Sequence, residues 1–176
     1  MEEFLSDIKT LRDRARVNID KGPLTDLLGA DLERVVDVLN QALATEITSV
    51  LRYKRHYFTA EGLNSKSAAE EFLEQAAQES DHADMIAARI QQLGGEPDLN
   101  PDTLTSRSYS ESDPSTELEA MIREDLVAER VAIAAYSDIV AWLGTGDPTT
   151  RRMLEEILAM EEEHAEDMLD LLAGIG

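Results

Sequence analysis

Glu79-Ser80-Asp81-His82 and Glu161-Glu162-Glu163-His164 each set a carboxylate and an imidazole three residues apart. On a helix, residues at that spacing lie on one face, so each pair can offer two ligands to one ion. The chain has 3 histidines, and two of them stand in these pairs. A lone glutamate precedes each pair at nearly the same separation, Glu46 before Glu79 and Glu129 before Glu161. Four glutamates and two histidines in this order, twice Glu then Glu-x-x-His, can supply a complete di-metal carboxylate site.

Such ligands must project from helices, and the sequence punctuation divides the chain into five of them. The first is expected from about Glu2 to Asp20, stopping near Gly22-Pro23. The second runs from about Asp31 to Glu61, ending at Gly62. The third starts near Ser67, whose capping box would use Glu70, and stops at Gly94-Gly95. Residues 94–114 are rich in Pro, Ser, Asp and Asn and lack periodicity, which predicts a long connection. The fourth helix begins between Pro114 and Thr116 and stops at Gly144-Thr145-Gly146. Asp147-Pro148 then supplies a cap and a proline at the first helical position of the last helix, expected to reach about Ala173. No segment alternates convincingly as a strand.

The apolar periodicity shows where the candidate ligands point. In the second helix Leu32, Val36, Leu39, Leu43, Glu46, Val50, Tyr53 and Tyr57 follow one another in alternating steps of four and three. In the third, Ala68, Phe72, Gln75, Glu79, His82, Ile86, Ile90 and Leu93 share one face. Leu118, Ile122, Glu129, Ala132, Tyr136, Ile139 and Leu143 do so in the fourth, and Leu154, Ile157, Glu161, His164, Met168 and Leu171 in the last. Each candidate ligand therefore interrupts an apolar stripe near mid-helix. Asp81, Glu162, Glu163 and Asp167 fall off the stripes and are read as solvated. Buried carboxylates without a partner cost several kcal/mol each, and the stripes hold no arginine to neutralise them. Two divalent cations would balance four glutamates and two neutral histidines. A plain bundle with chance placement explains less.

Tyr53 and Tyr136 each lie seven residues after Glu46 and Glu129, two turns along the same face. They are read as phenols that hydrogen-bond a ligand carboxylate, against the alternative of ordinary core tyrosines. His56 lies off the main stripe and is expected to be a surface or packing residue. Trp142 is expected in the core or at an interface.

Bulk properties narrow the function class. The chain has 176 residues, no cysteine and a formal net charge of −21. Absence of cysteine excludes disulfides, thiolate zinc sites and iron–sulfur centres. The charge opposes direct binding of nucleic acid, which needs a positive surface. Near the start of the chain Lys9, Arg12, Arg14, Arg16 and Lys21 are offset by acidic residues and make no convincing DNA arm. An acidic surface also suits a protein that attracts cations. No 18-residue apolar run and no apolar signal core in MEEFLSDIKTLRDR leave a cytoplasmic, membrane-free protein as the expectation.

The segments LNQALATEITSVLRYKRHYF, EQAAQESDHADMIAARI, EDLVAERVAIAAY and EEILAMEEEHAEDM resemble the ferritin-like superfamily, bacterioferritin and Dps-like ferritins above all. The resemblance spans residues 31–173. It implies an all-α fold, an antiparallel four-helix bundle in residues 31–176 with a long crossover between the second and third bundle helices, which residues 94–114 fit. Residues 1–30 would be an N-terminal helical extension. It further implies a ferroxidase that stores ferric mineral in a hollow homo-oligomeric shell. Carried over by motif, Glu46 and His82 would be terminal ligands of one iron, Glu129 and His164 of the other, and Glu79 and Glu161 would bridge them. Tyr53 and Tyr136 match tyrosines near such sites. Two iron ions per subunit follow, with O₂ or H₂O₂ as oxidant; manganese or zinc also suits these ligands.

Two departures refine the resemblance. Bacterioferritins carry a haem-ligating methionine just after the first motif's glutamate; here it is Ser80, so no haem is expected. The short fifth helix of 24-subunit shells has no counterpart, which favours a 12-mer of the Dps-like kind. The rival reading is a soluble di-iron redox enzyme, a rubrerythrin-like peroxidase or an oxygenase, without mineral storage. A DNA-coating protein conflicts with the charge, and a plain helical scaffold leaves the buried carboxylates unexplained.

Overall fold

The computed structural model describes residues 6–17, 19, 24, 31–60 and 65–175. All regular structure among them is helical. The elements are α1 (Ile8–Arg16), α2 (Leu32–Thr59), α3 (Ser65–Gln92), α4 (Leu104–Arg107), α5 (Leu118–Leu143) and α6 (Pro148–Ile175), with a 3₁₀ turn at Pro101–Thr103. Helices α2, α3, α5 and α6 are 26 to 28 residues long and form the bundle.

Local chemistry sets the helix ends. Asp7 caps α1 by accepting from the backbone N–H groups of Lys9 and Thr10 at 2.9 and 3.1 Å. Asp31 caps α2 through the Arg34 N–H at 3.2 Å. Asp147 accepts from the Thr150 N–H at 3.0 Å and so caps α6, with Pro148 in the first turn as expected. Gly94 follows α3 at φ 81°, a left-handed turn that glycine adopts without strain. Gly95 is required for space, since a Cβ there would lie 2.7 Å from the Val36 side chain.

Three expectations need correction. Helix α3 begins at Ser65, so Ser67 lies inside its first turn and is not a cap. Helix α5 begins at Leu118, later than Pro114 to Thr116. The connection between α3 and α5 is ordered and not featureless. It contains the 3₁₀ turn and α4, whose Leu104 is buried. The expected stops at Gly22-Pro23 and Gly62, and the start of α1 at Glu2, lie outside the described residues.

The connection is held to α2 by polar side chains. Asn40 donates to the Glu96 carbonyl at 3.2 Å and accepts from the Asp98 N–H at 2.7 Å. Thr45 accepts from the Tyr109 N–H at 2.9 Å. Arg55 donates to the Pro114 and Ser115 carbonyls at 2.9 and 2.8 Å. These bonds satisfy backbone groups that a long loop would otherwise leave to water.

The core has two apolar halves. One contains Leu39, Leu43, Ile86, Ile90, Ile139, Leu143, Leu154 and Ile157; the other contains Tyr53, Phe72, Met121, Ile122 and Met168. Helices α2 and α6 enter the first half and leave through the second, whereas α3 and α5 run the opposite way. Helix α2 packs along α3 and α5 along α6, and the pairs join through α2–α5 and α3–α6. Every packed pair is thus antiparallel, and the crossover runs the length of the bundle to bring α5 parallel to α3. None of the residues of α1 is buried. No described helix is long and apolar enough to cross a membrane.

Candidate metal centre

Between the two apolar halves lies a polar layer at mid-bundle. Glu46 from α2, Glu79 and His82 from α3, Glu129 from α5, and Glu161 and His164 from α6 are all buried there. The i, i+3 spacing aims both members of each pair inward from a single helix face. Asp81, Glu162 and Glu163 point outward and are exposed, and Asp167 is half-buried.

The six side chains form two overlapping groups. Glu46, Glu79, His82 and Glu161 place one ligand atom each within 4.8 Å of one another, and so do Glu79, Glu129, Glu161 and His164. Glu79 and Glu161 belong to both groups. His82 Nδ1 is 3.3 Å from Glu46, 3.4 Å from Glu79 and 3.1 Å from Glu161. His164 Nδ1 is 3.5 Å from Glu79, 3.8 Å from Glu129 and 3.9 Å from Glu161. The two imidazole rings are 6.0 Å apart.

Seven buried atoms in this layer lack a hydrogen-bond partner: Glu46 Oε2, both Glu79 oxygens, Glu129 Oε2, Glu161 Oε1 and Nδ1 of each histidine. Buried polar atoms are normally paired, so their convergence calls for a common partner. An oxygen-rich set with two imidazoles suits Fe, Mn or Zn. The electrostatics agree. Burial pushes the Glu79 and Glu161 carboxyls well above the usual range, and neighbouring carboxylates push them further. Burial disfavours charge on His82 too, but contacts with Glu161, Glu46 and Glu79 outweigh it and push the ring up to about 12. His164 moves the same way against burial through Glu129 and Glu161. Protons thus gather where cations would neutralise the carboxylates.

The two tyrosines support this layer crosswise. The Tyr53 hydroxyl on α2 donates to Glu129 on α5, and the Tyr136 hydroxyl on α5 donates to Glu46 on α2. Seven residues span about 10.5 Å of helix, so each phenol meets the opposite glutamate and not its own. Burial, with those glutamates, holds both phenols well above the ordinary tyrosine range and keeps them as donors.

A second buried polar group escaped sequence reading. His56, expected as a surface or packing residue, is 0% exposed and so is the packing one. Its Nδ1 shares a 2.8 Å hydrogen bond with Asp125, and its Nε2 lies 3.3 Å from Asp113 of the crossover. Asp125 sits on the α5 stripe between Ile122 and Glu129, where the four-and-three spacing points to it. Trp142 is half exposed and is not a core residue of this chain.

Burial raises Asp125 from 3.8 to about 6, although His56 and Arg52 act the other way. The folded chain thus keeps this proton to higher pH than the unfolded one. The stability this contributes is full below 3.8 and is lost as pH rises through about 6. Between about pH 5 and about pH 8 the loss is about 1.4 kcal/mol. Denaturant midpoints should therefore show Asp125→Asn gaining that amount on the wild type across the interval. A gap that stays constant with pH contradicts the assignment.

Residues 36–175 match the family described as Ferritin, ferritin-like domain. A nutrient stress-induced DNA-binding protein of Synechococcus sp. is 31% identical over 143 residues, covering 80% of this chain and 81% of that protein. Among solved structures, the bacterioferritin-related dodecameric thioferritin of Bacteroides fragilis superposes with a TM-score of 0.79 at 32% identity, over 85% of this chain and 89% of that one. A Desulfovibrio desulfuricans bacterioferritin, solved with its di-iron site in different catalytic states, gives a TM-score of 0.73 at 25% identity over 82% and 81%.

Proposed function

The chain belongs to the ferritin-like domain family, and on that premise we propose that it is an iron-storing ferroxidase. Two Fe(II) ions are the substrate. Side by side, they deliver two electrons together to O₂ or H₂O₂, so no one-electron radical is released. Glu46 and His82 hold one ion, Glu129 and His164 the other, and Glu79 and Glu161 span both. Tyr53 and Tyr136 keep Glu129 and Glu46 oriented by donating to them. The observation that carries this reading is the sharing of Glu79 and Glu161 between two four-residue groups, with seven buried donor atoms left unpaired.

Ferric mineral then collects inside a closed shell in the cytoplasm. We favour twelve chains, because the related Bacteroides fragilis protein is described as dodecameric. Haem is not part of this reading, since Ser80 stands at the position of the haem-ligating methionine. The Synechococcus relative is named for DNA binding, but a net charge of −21 works against a duplex here.

Iron retention tests the proposal. The protein is given excess Fe(II) under air and run on size exclusion, with mass and co-eluting iron recorded. Storage predicts iron far above two per chain on an assembly of about twelve chains. Iron capped near two per chain on a small oligomer would replace it with the reading as a non-storing di-iron redox enzyme.

A further inference from the structure

The two halves of the metal centre are not equivalent, and the difference lies at one residue. His164 Nε2 is 2.6 Å from Gln78 Oε1. A neutral imidazole has one N–H and one lone pair. With Nε2–H donating to the amide oxygen, the Nδ1 lone pair is aimed at the carboxylate layer, where Glu79, Glu129 and Glu161 lie within 3.9 Å. The bond also ties α3 to α6, because Gln78 and His164 stand on different helices.

The internal repeat predicts a matching residue for His82. Glu79 corresponds to Glu161, so the residue before it, Gln78, corresponds to Met160. A thioether is a poor acceptor. Among the described residues His82 Nε2 has no hydrogen-bond partner, and His82 is 6% exposed against 1% for His164. Gln78 and Met160 both border a shallow surface depression that reaches His164 and is rimmed by Glu71, Glu74, Glu163 and Asp167. Gln78 thus stands where water would otherwise compete for the ring.

We propose that Gln78 is a positioning residue that fixes His164, making the Glu129–His164 position the tighter of two and the Glu46–His82 position the more exchangeable. This rests on the metal-centre reading above. Partners that orient a metal-binding histidine typically contribute about 10–100-fold in affinity. The seat of the difference is the amide oxygen, so a carboxylate at the same position should replace it and an alkyl group should not.

Anaerobic Co(II) titration of the full assembly, followed by visible absorption, tests this. The wild type should take up two Co(II) per chain in two steps of different affinity. Gln78→Leu should weaken the first step about 10–100-fold and leave the second unchanged, so that the steps merge. Gln78→Glu should restore the separation. Two wild-type-like steps in Gln78→Leu, or an equal loss in both steps, would overturn the assignment while leaving the metal centre standing. A wild type that takes up no Co(II) would overturn both.

Discussion

Glu79→Gln and Glu161→Gln, each alone, are expected to abolish fast Fe(II) oxidation while leaving the shell assembled. Either carboxylate enters both four-residue groups, so its loss removes a ligand from both positions at once. The initial rate should fall by more than about 100-fold, beyond the 10–100-fold typical of losing an outer partner. Glu46→Gln or Glu129→Gln removes a ligand from one group and should spare metal binding at the other. Stability should move in the opposite direction. Burial and mutual repulsion hold Glu79 and Glu161 well above the usual range, so each neutral replacement should leave the metal-free protein at least as stable as the wild type at neutral pH. Initial rates, metal stoichiometry and metal-free melting read these effects separately. Normal oxidation in either variant contradicts the shared-ligand assignment.

Arg89→Met is expected to cost about 3–5 kcal/mol of stability. Arg89 on α3 is 4% exposed and donates to both Asp147 oxygens at 2.9 and 3.1 Å and to the Thr150 hydroxyl at 2.7 Å. Asp147, 0% exposed, caps α6. Methionine keeps much of the apolar stem but leaves a buried carboxylate without its cation. The pair also fixes how α6 lies along α3, and therefore where Glu161 and His164 meet Glu79 and His82. Metal-free denaturant midpoints measure the cost, and a loss below about 1 kcal/mol contradicts a structural role for the pair.

The bundle and its buried polar layer were legible because burial imposes a period. Every stripe residue expected on α3, from Ala68 to Leu93, is buried, with the candidate ligands among them. On α2 the stripe began on the wrong residue. Leu32 is 41% exposed, while Val35, Val38, Ala42 and Ser49 face inward. A strict alternation of four and three drifts from the 3.6-residue turn over 28 residues. The same drift placed Tyr57 on the stripe and left His56 off it. Asp125 gives little signal because a lone acidic residue breaks an apolar pattern, although its spacing from Ile122 and Glu129 fits. The crossover's attachment to α2 could not be read at all. It depends on Asn40, Thr45 and Arg55 meeting backbone groups 56 to 64 positions away, and polar residues on one helix face carry no periodic signal for that. The crosswise tyrosine bonds join helices α2 and α5, a pairing that spacing within one helix cannot specify.

Anomalous diffraction at the iron edge, from crystals soaked anaerobically with Fe(II), tests most directly whether Glu79 and Glu161 hold two cations between them. Two iron peaks per chain are expected inside the bundle, one against Glu46 and His82, the other against Glu129 and His164, and both touching Glu79 and Glu161. A single peak, or iron bound only to the acidic outer surface, would contradict the shared di-iron centre.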